Sequence, residues 1–104
     1  MKALLIKPDK IVQPIFINSI DEIRQIVCDF EQDGTMELIY FSDLKSVLIH
    51  DAMHASKKYR LNKNLKRMAC KNGWTTILNK AIYGFVLFIE DVDRFNELPL
   101  EVDI

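Results

Sequence analysis

Hydrophobic and polar positions follow two periodicities along the chain, one typical of strands and one typical of helices. Pro8–Lys10 supplies turn residues between two short apolar runs near the start. Because proline donates no backbone hydrogen bond, Pro14 places the second of these runs at a sheet edge or at a bulge. The apolar runs predict strands at Ala3–Ile6, Ile11–Ile17, Met36–Phe41, Ser46–His50 and Ile82–Ile89.

Two helices are predicted by apolar residues that recur every three or four positions. Ser19–Glu22 forms a capping box, in which the hydroxyl and the carboxylate each accept from an amide at a helix start. A second helix is expected over about Asn62–Lys71, where Asn72–Gly73 gives a stop signal. The segment 51–59 fits either a short helix or a polar loop. The apolar stripe of the first helix consists of Ile20, Ile23, Ile26, Val27 and Phe30.

The order of these elements predicts an α+β fold. We expect a small, mainly antiparallel sheet of about five strands, with two helices packed on one face. The most apolar run, Ile82–Ile89, should be a central strand, and Gly84 within it indicates a bulge or a close backbone approach. The length fits a single globular domain spanning 1–104, whose last part, 90–104, is an acidic tail. Whether that tail is ordered stays open.

Composition excludes several classes of protein. The chain has 104 residues, 49% of them hydrophobic, and a formal net charge of −1, which excludes intrinsic disorder. No apolar run approaches the roughly 20 residues that a membrane span needs, and the apolar run at the start is too short for a signal peptide. Two cysteines, Cys28 and Cys70, do not make a disulfide framework. We therefore expect a cytoplasmic protein with free thiols.

Four short motifs resemble a known family. They are the opening MKALLIKP, the strand sequence Met36–Tyr40, the Leu-x-x-Asn of Leu61–Asn64, and Ile82–Gly84. In these four motifs, the chain is similar to a family of small uncharacterised proteins found largely in phages and other mobile elements of bacteria. The resemblance implies a small α+β domain with an accessory role in the host cytoplasm. It supplies no activity and no catalytic residues.

Charge is distributed unevenly along the chain. Residues 1–51 sum to −4 and residues 90–104 sum to −5, whereas residues 52–89 hold eight basic and no acidic side chains. Seven of the basic residues fall between positions 57 and 71. The near-neutral composition thus hides a strongly divided chain.

The candidate binding residues come from this basic segment and the aromatic residues beside it. On a helix, its cations would lie opposite the apolar positions, and two flanking aromatic rings could stack on a base. Three interpretations stay open: a solvated face offset by the acidic tail or the first helix, a surface for an acidic protein, and a site for nucleotide or nucleic acid. The candidates are Lys57, Lys58, Tyr59, Arg60, Lys63, Lys66, Arg67, Lys71 and Trp74.

Two histidines four positions apart, His50 and His54, have the spacing of a helical zinc pair. They are a weak candidate, because His50 ends a predicted strand and no third ligand is near in sequence. A metal-dependent hydrolase centred on this pair is a second alternative function, beside nucleotide or nucleic-acid binding. No set of nucleophile, base and electrophile emerges elsewhere, so we expect no catalytic residues, no cofactor and no enzymatic activity.

The resulting expectation is a small accessory protein that acts by binding a bacterial macromolecule. Counteraction of a host defence system is a setting drawn from the resemblance. The expected partner is a bacterial protein, with nucleotide or nucleic acid as the alternative, and no membrane. A homodimer also stays open, through a free edge of the first strand or through the oppositely charged blocks.

Overall fold

The structure is a computed structural model that describes residues 1–28 and 34–101. Its five strands form one sheet in the order β2-β1-β5-β4-β3, and every neighbouring pair is antiparallel. The α+β prediction is therefore confirmed. In the described residues, no helix has the length and apolar character that crossing a membrane requires. The elements are β1 (Lys2–Ile6), β2 (Val12–Phe16), α1 (Ile20–Val27), β3 (Met36–Tyr40), β4 (Val47–Asp51), α2 (Lys63–Asn72), a 3₁₀ helix (Thr75–Ile77), β5 (Val86–Ile89) and α3 (Val92–Asn96).

The two long helices lie on opposite faces of the sheet, which corrects the expectation of one helical layer. Ile23 of α1 packs in a core with Ile49 of β4, whereas Leu65 of α2 packs with Leu48 on the other face. All five residues of β4 are buried, so both faces of the sheet centre must be covered. One helical layer would leave half of those apolar side chains in water.

The edge strand is where Pro14 predicts it, since β2 pairs only with β1 in this sheet. The expectation of a free edge on the first strand is wrong. The last strand, β5, pairs with both β1 and β4, so β1 has neighbours on both sides. Pairing of β1 with a second copy of the chain is therefore blocked by its own sheet.

The central strand is shorter than predicted. Regular pairing covers Val86–Ile89, while the preceding residues 82–84 pair with the segment before α2. Gly84 has a positive φ of 88°, and its N–H donates to the carbonyl of Arg60 at 2.8 Å. This conformation favours glycine and turns the chain out of the sheet.

The start of α1 also holds the end of the described chain. The hydroxyl of Ser19 accepts from the N–H of Glu22, as the capping box predicts, but the Glu22 carboxylate accepts from the N–H of Asn18. The carbonyls of Pro99 and Leu100 accept from the first two amides of α1, both at 2.9 Å. Residues 90–101 of the predicted tail thus include α3 and dock beside α1, whereas Phe30 and 102–104 lie outside the described residues.

Asn62 joins α2 to the sheet. Its side-chain oxygen accepts from the N–H of Leu65 at 2.9 Å, which caps the helix. Its amide nitrogen donates to the carbonyls of Ile6 and Gly84, at 2.9 and 2.8 Å. The helix then ends at Gly73, which has a positive φ of 69°. Segment 52–58 before it consists of turns, so its loop interpretation is the correct one.

We predict that Asn62→Ala lowers the free energy of unfolding by about 2–4 kcal/mol, because it removes a helix cap and takes a donor away from each of two carbonyls. Urea titration followed by far-UV circular dichroism measures the change. Asn72 is exposed and donates to one carbonyl of the same helix, so Asn72→Ala is the matched control and should cost less than about 0.5 kcal/mol. Equal losses in the two variants would contradict this role of Asn62.

Candidate functional site

The basic segment divides into three environments. Lys57 contacts a buried carboxylate, Lys58 and Arg60 line a cavity on the α1 face of the sheet, and the remaining cations lie on α2. The structure therefore does not bring all the candidate residues onto one surface. The division occurs at Asn62, which turns the chain into α2.

The cations on α2 form one continuous surface, which we call the α2 basic face and which consists of Lys63, Lys66, Arg67 and Lys71. Positions spaced by three or four residues share one side of a helix, so these side chains point outward while Leu65 and Ala69 are buried. All four are exposed, and none has an ion pair with a carboxylate in residues 1–28 or 34–101. Lys80 lies beside Lys63 and Lys66 in a cleft of about 320 Å³.

Lys57 is held by an internal partner. Its Nζ lies 2.6 Å from Oδ2 of Asp51, a carboxylate whose side chain is 1% exposed. Burial disfavours the charged form of Asp51, but hydrogen bonds from Lys57, the Met53 N–H and the Tyr59 hydroxyl outweigh burial and lower the pKa of this carboxyl. Lys57 thus contributes to the fold, and its charge is less available to a binding partner than the charges of the exposed cations.

Tyr59 is held in place by contacts within the protein. Its hydroxyl donates to Asp51 at 2.9 Å, and burial together with this contact raises the pKa of Tyr59 to about 12. Its ring lies against Gly84, where an added Cβ would come within 2.9 Å of Cδ2. The close backbone approach predicted for Gly84 is therefore confirmed, and its partner is Tyr59.

Trp74 also packs within the protein. Its ring stacks on Phe88, with centroids 5.0 Å apart and planes inclined by 21°, and it contacts Phe41 with centroids 5.3 Å apart. The side chain is half-buried against the α2 core. This packing occupies at least one face of the indole.

The two histidines do meet, with ring centroids 4.8 Å apart, but their nitrogens face internal partners. His50 is 1% exposed, and its Nδ1 donates to the Asp51 carbonyl at 3.0 Å. Its Nε2 lies 2.9 Å from a Glu37 oxygen, so each ring nitrogen of His50 faces an internal partner. Nδ1 of His54 accepts from the N–H of Tyr83 at 3.1 Å.

These contacts leave the pair poorly suited to a metal. A ligating imidazole nitrogen must offer its lone pair, yet three of the four ring nitrogens already face hydrogen-bond partners. Across the described chain, no three His, Cys, Asp or Glu side chains are grouped to hold an ion. Burial, and then the neighbouring His50, lower the pKa of His54, which favours its neutral form.

A cavity of about 600 Å³ lies on the α1 face, and the sequence did not indicate it. Two of its cations, Lys58 and Arg60, were candidates, but Lys7 was missed. No spacing rule finds such a site, because its lining comes from β1, β2 and the connection between them, from α1, from the residues before α2 and from the segment before β5. The lining residues are Leu5, Lys7, Pro8, Gln13, Glu22, Gln25, Ile26, Val27, Lys58, Tyr59, Arg60, Gly84 and Phe85.

We predict that Asp51→Asn lowers the free energy of unfolding at pH 7 by about 2–3 kcal/mol, because Lys57 loses its buried anion. The folded-state pKa of Asp51 lies below the ordinary 3.8, so its contribution is complete above that value and is lost as pH falls through the lowered pKa. The difference between wild type and variant should therefore shrink in acid. Urea titrations at several pH values test this, with the exposed Glu97→Gln as control; a difference independent of pH would contradict it.

We further predict that His54 makes the protein less stable as pH falls below 6.5, its ordinary pKa. Because the folded-state pKa is lower than the unfolded one, the unfolded chain binds the proton first and acid favours unfolding. His54→Asn keeps an acceptor for the Tyr83 N–H but does not titrate. Thermal unfolding at about pH 7.5 and about pH 5 should show a smaller loss in this variant. A loss equal to that of the wild type would show that other groups carry the dependence.

The described residues thus carry an unpaired basic face on α2, a cavity with three cations on the α1 face, and a buried network of His50, Asp51 and their partners. Comparison of the chain with protein-family models, with curated proteins and with solved structures finds no match.

Proposed function

We propose that this chain is a non-enzymatic binding protein that recognises an acidic surface of a bacterial protein through the α2 basic face. The supporting observation is that Lys63, Lys66, Arg67 and Lys71 are exposed on one helix surface and have no ion pair within the described chain. Exposed cations of one sign on one surface attract and orient an acidic partner.

The described part of the acidic tail, residues 90–101, makes no ion pair with this face. Residues 99 and 100 bond to the first amides of α1, on the face of the sheet opposite α2. Helix α1 itself, the other source of carboxylates considered for that role, lies on that opposite face too. Its Asp21 pairs with Arg24 of the same helix, at 3.3 Å. Among the residues that the structure describes, no carboxylate pairs with these cations in the way that the solvated-face interpretation expects.

A protein partner is favoured over nucleic acid because internal contacts already engage part of each candidate ring, and Tyr59 lines the cavity on the α1 face, away from the cations of α2. Single-stranded nucleic acids are bound by combining a cationic surface with open rings on which bases stack. Here the Tyr59 ring packs on Gly84, and the Trp74 ring stacks on Phe88. The sequence pI of 6.1 also differs from the values above ~9 that are typical of nucleic-acid-binding domains.

The resemblance to proteins of phages and mobile elements suggests where such binding would act. In that setting the chain would work in the host cytoplasm as an accessory factor, and its partner would be a host protein, for example a component of a defence system. Binding alone is sufficient for that role, since a bound protein can block a surface without any chemistry. The hydrolase alternative lacks support of the same kind, because the nitrogens of His50 and His54 face internal partners.

We predict that Lys66→Glu/Arg67→Glu loses protein partners that the wild type captures from a nuclease-treated bacterial lysate. Reversing two of the four charges leaves two cations and two anions, so the face no longer attracts an acidic surface, and wild-type capture should weaken as salt rises from about 50 to about 300 mM. Capture on beads followed by mass spectrometry measures the difference. Lys45→Glu/Arg94→Glu is the matched control, because both residues are exposed and lie at or beside α3, whose Val92 and Phe95 pack in the core on the α1 face.

The control variant should capture the same proteins as the wild type. Recovery of the same partners by the α2 variant would show that the α2 basic face is a solvated surface and would overturn the proposal. Signal that disappears on nuclease treatment, or retention of labelled duplex or single-stranded oligonucleotides that depends on Lys66 and Arg67, would instead support the nucleic-acid alternative.

A further inference from the structure

The cavity on the α1 face combines an apolar floor with a cationic margin. Leu5 and Val27 belong to the core on this face, and the Phe85 ring is 39% exposed at the cavity. A volume of about 600 Å³ lies within the range of small-molecule sites, which is about 300–1,000 Å³. The lining thus offers an apolar body of that size a place to be buried.

The charges around the cavity are unbalanced. Lys7, Lys58 and Arg60 line it, and none of them pairs with a carboxylate among the residues that the structure describes. Nζ of Lys7 lies over the Phe85 ring, 5.8 Å from its centroid. Glu22, the one carboxylate among the described lining residues, accepts from the N–H of Asn18 at 2.8 Å. A bound anion would therefore meet three cations and one carboxylate that already has a donor.

One wall of the cavity is fixed before any ligand arrives. The Tyr59 hydroxyl bonds to the buried Asp51, and its ring packs against Gly84, so this aromatic surface has a defined position. A preformed wall spares a ligand the cost of ordering the site. Cations above an apolar floor, next to fixed aromatic rings, are complementary to a molecule with an apolar body and a single acidic group.

We infer that this cavity is a binding site for a small organic anion, in which an aromatic or branched aliphatic body rests on Leu5, Val27 and Phe85 and an acidic group faces Lys7, Lys58 and Arg60. Carboxylate, sulfonate and phosphate heads share the required chemistry. The site is separate from the α2 basic face, so it adds a second recognition function to the proposed one. Its ligand would reach the chain independently of any protein partner.

The test uses anilinonaphthalene sulfonate as the probe, added to the intact chain near neutral pH. We expect one bound probe per chain by isothermal titration calorimetry. Amide shifts in two-dimensional NMR spectra should be confined to residues around Leu5, Val27 and Phe85. Lys58→Gln/Arg60→Gln should weaken binding about tenfold or more, because two charge-assisted contacts are lost. Lys63→Gln/Lys66→Gln removes two charges from α2 and should leave binding unchanged.

Two further compounds separate the contributions of charge and body. The neutral N-phenyl-naphthylamine should bind at least about tenfold more weakly than the sulfonate, and inorganic phosphate should not displace the sulfonate at equal concentration. Absence of binding, amide shifts spread over the whole chain, or equal losses in the two double variants would overturn the inference. Equal affinity for the neutral compound would do so as well, because the cavity would then be a merely apolar groove.

Discussion

The side-chain amide of Asn62 is the contact on which the arrangement of both candidate surfaces depends. Its nitrogen holds the end of β1 and the Gly84 turn, while its oxygen starts α2. Arg60, two residues before it, faces the cavity on the α1 side, and Lys63, directly after it, begins the α2 basic face. One buried polar side chain thus separates a continuous run of cations into two surfaces. Without Asn62, the carbonyls of Ile6 and Gly84 would each lose a hydrogen-bond donor. A buried carbonyl that lacks a hydrogen bond destabilises the folded state.

The second constraint is that the sheet centre is apolar on both faces. Leu48 of β4 faces the α2 core and Ile49 faces the α1 core, so the helices must lie on opposite sides. This placement also separates charge, because the described tail docks beside α1 while the cations of α2 face away from the sheet. A chain with a net charge of −1 therefore keeps a strongly positive surface in the folded state.

Local features of this fold could be predicted from sequence because local chemistry determines them. Ser19 caps α1, Gly73 ends α2, and Pro14 lies in an edge strand, each for a reason visible within a few residues. Layering could not be predicted in the same way, because the continuous apolar run of β4 indicates that both faces are buried but does not say which element covers each face. The length of the central strand was overestimated. Residues 82–84 are as apolar as a strand, but they pair with the segment before α2.

The candidate site shows the same limit. Exposure of the α2 cations follows from helical periodicity, so the sequence identified Lys66 and Arg67 correctly as outward-facing. Engagement of Tyr59 by Asp51 and Gly84 depends on residues 8 and 25 positions away, and no pattern along the chain encodes it. The cavity has the same non-local origin, since its cations come from the end of β1 and from the turns before α2.

Whether a cation needs an internal ion-pair partner depends on how far it lies from water. Lys57, with a side chain only 21% exposed, is next to a carboxylate that is itself buried, because an unpaired charge at that depth would be costly. The cations of α2 are exposed, where water and salt screen their mutual repulsion at little cost to stability. Folding therefore requires an internal anion for Lys57 but not for Lys63, Lys66, Arg67 or Lys71. Their lack of ion pairs with residues 1–28 and 34–101 is compatible with a stable fold, and it leaves their charge available to a partner.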